Sequence, residues 1–317
     1  MEQTQVALTH AGSVASEAIL EKLPESGLMP DSLVLLGDDS SIGSRLSYCD
    51  TYLEVQDPEN YEFSDCALVL MPEYDAAIEQ TVSSFDALLV SHTIESDSPA
   101  VFAANPDAAI KVSYTQASLR VAGPALSSLL GVLPALHKAF QITAMNLVFL
   151  QSADEKGRAA IDELAGQTVA LLNGRDAEPR VYPLQVAFNT QPTGQIAKLD
   201  TDLPAILGNS EICCIHQVID VPVFHGLTIS VQLELAADVD LEACRQILSG
   251  IPKVQLIDTD ASPITHCNQS FSCVINRLEQ GRQGAKNIQF WMIVDPMRYG
   301  IANNYVNVSD ILLKSFL

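Results

Sequence analysis

Apolar residues take two textures along the 317-residue chain. In the first third they form short unbroken runs at Gln5–Thr9, Ser32–Leu36, Ala67–Met71 and Ala87–Val90. Runs without alternation fit strands buried on both faces, as in a parallel sheet. Between some of them the spacing turns helical. Val14, Ala18, Ile19 and Leu23 lie at successive spacings of four, one and four over Val14–Leu23, and Tyr74–Phe85 also reads as helical. Strand–helix alternation predicts a right-handed, doubly wound α/β domain.

Near Val121 the texture changes. Leu126, Leu129, Leu130, Leu133 and Leu136 predict one apolar helix over Ala125–Phe140, followed by a strand at Asn146–Leu150. Ala160, Ile161, Leu164, Val169 and Leu172 predict a helix over Asp154–Leu172. Long strands follow at Glu211–Val221 and Leu227–Leu235, joined by a turn around Phe224–Gly226, with more at Ser272–Ile275 and Gln289–Asp295. This is the pattern of an α+β domain with an open, mostly antiparallel sheet. Such a sheet must cover one face, often by dimerisation. A final amphipathic helix, Ile301–Phe316, is expected to pack back on the first domain. The expected boundaries are 1–121 with 297–317 for the α/β domain, and 122–296 for the α+β domain.

Charge narrows the function. Lys and Arg number 17 against 39 Asp and Glu, a net −22. Nucleic acids and anionic membranes are held mainly by clustered basic residues, so neither is an expected partner. The longest apolar stretch, Ala122–Leu136, is interrupted by Gly123, Pro124, Ser127, Ser128, Gly131 and Pro134 and is too broken to span a bilayer. The N-terminus shows Glu2 and no basic segment, so no signal peptide is expected. Seven irregularly spaced cysteines form no disulfide framework, which leads to the expectation of a reduced, cytoplasmic protein.

Several segments of the second half carry a family resemblance. They read Ala187-Phe188-Asn189, Val221-Pro222-Val223-Phe224-His225-Gly226, Phe290-Trp291-Met292-Ile293-Val294-Asp295 and Gly300-Ile301-Ala302-Asn303-Asn304. In that order they resemble the aspartate-semialdehyde dehydrogenase family, and Leu133–Phe140 is similar to the helix that follows that family's nucleophile. The resemblance runs through nearly the whole chain. It implies a Rossmann-type domain completed by the C-terminal helix, plus an α+β domain whose sheet forms a homodimer. It also implies NADP-dependent oxidation of an aldehyde with phosphate. In that reaction a thiolate attacks the carbonyl, a histidine serves as general acid and base, and an arginine clamps the substrate carboxylate.

The positions that would carry this chemistry hold other residues. Counted back from Phe140, the cysteine of the family's Pro-Asn-Cys-Ser-Thr motif falls on Pro124, or on Ala125 with a one-residue shift. No cysteine lies anywhere between Cys66 and Cys213. In the segment that the family writes Arg-Val-Pro-Val-Phe-x-Gly-His, the arginine position is Asp220 and the histidine position is Leu227. At ~4 Å and an effective dielectric near 20, the lost attraction and the gained repulsion toward a carboxylate are each about 4 kcal/mol.

Cofactor binding is affected as well. A Rossmann phosphate turn needs glycines so that backbone N–H groups reach the pyrophosphate. Here the three glycine positions after the first strand are His10, Ser13 and Ser16, with Gly12 alone displaced by one residue. Side chains at all three places are expected to crowd the phosphates. The family's Ser-Gly-Ala-Gly loop reads Asp154-Glu155-Lys156-Gly157, which should turn two carboxylates toward an anionic cofactor. NADP or NAD is thus implied by resemblance alone. Two family positions remain: Gln151 at the active-site glutamine and Asn304 at a C-terminal asparagine. Each is either a remnant of the pocket or a holder of backbone hydrogen bonds. The segment between Asn189 and Asp220 is shorter than in the family and lacks its Glu-Glu-x-Lys helix.

The combination is similar to the Usg-type branch of dehydrogenase-like proteins without the catalytic set. It predicts a non-catalytic homologue, with two alternatives. One is a repurposed enzyme or nucleotide-binding protein using the old cleft through Gln151, His225 and the nearby serines. The other is a regulatory protein that pairs with an active paralogue. Other clusters read as structural. Cys213, Cys214 and His216 share a strand, so neighbours alternate faces, and buried structural thiols are expected. His266, Cys267 and Cys273 lack the paired spacing of zinc sites. His225 is expected to be a turn residue, and Ser127 and Ser128 have no base nearby in sequence.

Overall fold

The computed structural model describes residues 5–94, 100–102, 118–266, 270–281 and 285–316. The chain divides into two compact units, Met1–Gly123 with Ile301–Leu317, and Pro124–Gly300. Each holds a seven-stranded sheet.

In the first unit the strands are β1 (Gln5–Leu8), β2 (Leu33–Leu36), β3 (Arg45–Tyr48), β4 (Thr51–Gln56), β5 (Cys66–Leu70), β6 (Leu88–Ser91) and β7 (Ser118–Arg120). Their order is β3-β4-β2-β1-β5-β6-β7, parallel throughout except for the β3–β4 pair. Counting only the parallel strands gives 3-2-1-4-5-6, the order of a dinucleotide-binding Rossmann fold. Val6, Ala7, Leu8, Leu68, Val69 and Leu70 are fully buried, as the unbroken apolar runs require. The β3–β4 hairpin gave no sequence signal because it lies at the sheet edge, where only Tyr48 and Val55 are buried. The terminal helix Asn303–Phe316 belongs to this unit and packs beside the helix Val14–Lys22. A wide π-type turn, Pro296–Ala302, precedes it where a continuous helix from Ile301 was expected.

The second unit holds β8 (Ile142–Gln151), β9 (Gln191–Thr193), β10 (Cys213–Asp220), β11 (Leu227–Leu235), β12 (Val254–Ile257), β13 (Cys273–Gln280) and β14 (Asn287–Val294). Their order is β12-β13-β14-β11-β8-β10-β9, with parallel pairing only between β12 and β13 and between β8 and β10. Although β10 and β11 follow one another in sequence, β8 lies between them.

Two expected helices are divided. Ala125–Phe140 is two helices, Pro124–Leu130 and Leu133–Phe140. Pro134 has no N–H and its ring would strike the carbonyl one turn back, so it fits only the first turn of a new helix. Gly131 sits at the break, where a Cβ would fall 2.4 Å from Tyr299 Oη. Asp154–Leu172 is a 3₁₀ turn at Ala153–Lys156 and a helix at Arg158–Leu172. Gly157 separates them with φ 82° and ψ −176°, a conformation open essentially to glycine alone.

Candidate functional site

In the second unit, the strand ends bring three of the marked positions together. Asp220 closes β10 opposite Gln151, the last residue of β8. On its other side it faces Gln191 of β9. Leu227 opens β11 one position from the Leu150–Thr228 pair, and its side chain is buried. After Gln151 the chain turns through Ser152–Lys156, held by the Ala153 and Asp154 N–H groups donating to the carbonyls of Val223 and Phe224. This turn lays Asp154, Glu155 and Lys156 over Asp220 and the 221–226 loop.

A charged cluster results. Lys156 Nζ lies 2.7 Å from Asp220 Oδ2, whose side chain is 1% exposed. The same ammonium stands 5.0 Å over the Tyr182 ring, a cation–π contact. Gln151 Nε2 donates to Glu155 Oε2 at 3.1 Å. Burial, then the Asp154 carboxylate, push the Glu155 acid up to about 8. Asp154 is itself buried. Its Oδ1 accepts from Ser152 Oγ at 2.5 Å, and its Oδ2 accepts from Gly226 N–H at 3.3 Å and pairs with His225 Nδ1 at 3.4 Å. That bond, with the nearby carboxylate charges, raises the half-exposed His225 imidazole above its ordinary value. Asp295 is raised by burial while accepting from the Met297 and Arg298 N–H groups and pairing with Arg298 at 3.2 Å. Around this cluster, five buried polar atoms have no hydrogen-bond partner among the described residues: Asp220 Oδ1, Glu155 Oε1, Tyr182 Oη and both amide atoms of Gln191.

Other marked positions are placed as follows. Pro124 opens its helix and Ala125 is buried behind it. Ser128 Oγ donates to the Pro124 carbonyl at 2.7 Å, so that hydroxyl serves the helix. Asn304 Nδ2 donates to the carbonyls of Val101 and Ala122, both in the first unit. Gln151 bonds a carboxylate, not the backbone. Of the two carboxylates expected to turn toward an anionic cofactor, Asp154 is instead turned to Ser152 and Gly226, and Glu155 accepts from Gln151.

The cysteines of β10 also differ from expectation. Cys213 is exposed, because it lies on the outward face of the sheet with Ile215 and Gln217. Cys214 is partly buried, and burial pushes its thiol up to about 11. His216, buried on the same face as Cys214, accepts from the Ile196 N–H at 3.1 Å. Cys267 lies outside the described residues. No group of three or more His, Cys, Asp or Glu among the described residues is arranged to hold a metal ion.

In the first unit, the turn after β1 runs through Thr9, His10 at φ 54° and Gly12 at φ 99°. Ser13 caps the following helix, its Oγ accepting from the Ser16 N–H at 3.2 Å. Ser16 Oγ donates to the Thr9 carbonyl at 2.8 Å and is buried. Of the three positions expected to crowd a phosphate, only His10 therefore lines the adjoining cavity. That cavity, about 750 Å³, lies past the carboxyl ends of β1, β2 and β4. Its walls carry Asp38, Asp39, Asp57, Glu59 and Asp75, with no Lys or Arg among its lining residues. These residues do not fit a cofactor bearing a phosphate on its ribose.

Residues 133–299, just over half the chain, match the semialdehyde dehydrogenase dimerisation domain. The chain belongs to the semialdehyde dehydrogenase family. It is similar to an aspartate-semialdehyde dehydrogenase of Legionella pneumophila, 28% identical over 98% of this chain and 96% of that protein. It is also similar to a USG-1 protein homolog of Pseudomonas aeruginosa, 26% identical over 98% of each. A crystal structure of an aspartate semialdehyde dehydrogenase II from Vibrio cholerae shares the fold over the full length of both chains, with a TM-score of 0.89 at 24% identity. The Rossmann-type unit and the dimerisation unit are thus those of the family. No described helix is long and apolar enough to cross a membrane.

Lys156, Tyr182, Gln191 and Asp38 were not found from sequence. Lys156 follows two acids that drew the reading of its loop, and Tyr182 and Gln191 lie in a stretch without periodicity. Asp38 did leave a signal: an acidic residue two positions after a buried parallel strand, where Rossmann folds engage a ribose.

Proposed function

We propose that this chain is a homodimeric member of the family that no longer oxidises an aldehyde and acts without catalysis, through protein contacts or a bound small molecule. The observation that carries this is the Lys156–Asp220 pair. Where the resemblance asks for an arginine facing a substrate carboxylate, a buried carboxylate stands and the chain's own ammonium neutralises it. A carboxylate substrate would find no guanidinium there, and the nearby ammonium is already engaged by Asp220. Neither Pro124 nor Ala125 can attack a carbonyl, and Leu227 can move no proton. The test is NADP reduction by purified protein with aspartate semialdehyde and phosphate. Turnover that tracks protein concentration would overturn the proposal, and light scattering on the eluting protein checks the dimer.

A second reading has its own support. Perturbed acids gather at functional sites, and here Glu155, Asp295 and His225 are all shifted in one cluster that also holds five unpartnered buried polar atoms. A repurposed enzyme would use Glu155 as an acid protonated near neutral pH. A screen of hydrolase and isomerase substrates, comparing wild type with Glu155→Gln, separates it from the first. Activity abolished by that substitution favours the second reading.

A further inference from the structure

The cavity of the first unit is built around Asp38. Glycine at position 37 is required there, since a Cβ would fall 2.2 Å from Ser41 Oγ and 2.5 Å from Val55 Cγ1. The chain folds back so that Asp38 Oδ1 accepts from Ser40 N and Oγ at 3.1 and 2.7 Å, and from Ser41 N and Oγ at 3.0 and 2.9 Å. Four donors on one oxygen fix the carboxylate and leave Oδ2 for a donor from outside. The nearby acids are engaged differently. Asp75 Oδ1 caps a helix through the Ala77 and Ile78 N–H groups, and Asp57 accepts from Glu59 N and Asn60 Nδ2.

In open parallel sheets, ligands bind beyond the carboxyl ends of the strands, and an acid after the second strand takes the ribose hydroxyls. We propose that this cavity binds a ribonucleoside through the free 2′- and 3′-hydroxyls of its ribose, with Asp38 accepting from that diol, and excludes NADP. A diol brings two donors to a carboxylate that needs donors. A phosphate there brings only acceptors and negative charge, against five carboxylates and no lining cation. Leu36, Ile42, Pro58, Ala77 and Ile78 give the walls an apolar component suited to a planar base and unsuited to a hydrated cation. The pyrophosphate contributes little, because Ser13 already occupies the Ser16 N–H at the helix start. This proposal stands whether or not the second unit is catalytic.

The test is calorimetric titration of the full chain at low salt with adenosine, 2′-deoxyadenosine, NAD and NADP. Adenosine should bind, with 2′-deoxyadenosine and NADP each at least tenfold weaker and NAD no tighter than adenosine. Asp38→Asn should weaken adenosine at least tenfold. Because that change also loosens the loop, a second variant is needed. Asp39→Lys, on an exposed side chain of the same wall, should raise the affinity for NADP several-fold more than that for adenosine. Absence of adenosine binding up to millimolar, NADP as tight as adenosine, or equal affinity for the deoxy sugar would each overturn the proposal. None of these readouts depends on the NADP-reduction assay, so the two proposals can fail separately.

Discussion

Lys156 Nζ and Asp220 Oδ2 are 2.7 Å apart, and the aspartate is sealed from solvent while the lysine keeps about a quarter of its side chain exposed. The pair joins the turn after β8 to the end of β10. Removing one partner of a buried pair strands a charge, whereas replacing both with apolar groups is often neutral. Lys156→Ala should therefore destabilise the second unit by about 3–5 kcal/mol. Lys156→Met with Asp220→Leu should restore most of the loss. Urea unfolding of the three proteins checks this, and a double variant no better than Lys156→Ala would show that the pair is not what holds the turn.

Glu155 gives a pH dependence of definite sign. Its acid is pushed from an ordinary 4.5 up to about 8. The folded state thus holds a proton that the unfolded chain has released across that interval, so stability must fall as pH rises. The contribution is fully present below about 4.5 and is lost as pH rises to about 8, on the order of 5 kcal/mol in all. Glu155→Gln should flatten this part of the profile. Denaturant midpoints at pH 5, 6.5 and 8 for both proteins give the comparison, and equal slopes would refute the assignment.

Gly300 meets the start of the helix Pro124–Leu130. A Cβ there would lie 2.6 Å from the Pro124 carbonyl oxygen and 2.8 Å from Ser128 Oγ. Backbone cannot yield as a side-chain tip can, so Gly300→Ala should cost about 1–3 kcal/mol by overpacking. A thermal midpoint unchanged by the substitution would mean that the wide turn Pro296–Ala302 shifts freely.

Rebuilding the expected catalytic set should not restore turnover. Cysteine at position 124 or 125, with Leu227→His and Asp220→Arg, would bring a guanidinium beside Lys156 and leave the acidic walls of the first unit in place. Absorbance at the reduced-nicotinamide band should stay flat. Clear turnover would show that the first unit admits NADP.

Legibility in the sequence followed burial. The unbroken runs at Val6–Leu8 and Leu68–Leu70 announced the parallel sheet because both faces are covered, and the motifs from Val221 to Gly226 and from Phe290 to Asp295 carried the family. The β3–β4 hairpin stayed hidden because one face of Arg45–Gln56 is solvated and no alternation repeats long enough. The site was half legible. Position 220 could be marked from its motif, but its partner could not, since Lys156 reaches it only once β8 and β10 lie in register. Ser16 looked like an obstruction until its hydroxyl proved to bond the Thr9 carbonyl, a direction that spacing alone does not fix.

The ends of the second sheet are short. β9 has three residues with Pro192 at its middle, and β12 has four. Proline offers no N–H to a neighbouring strand, and stubby borders give an incoming chain little to zip onto. A protein joining this unit is thus steered away from lengthening the ladder and toward lying flat across the broad side that carries Ile215, Gln232 and Trp291. The geometry favours stacking over continuation.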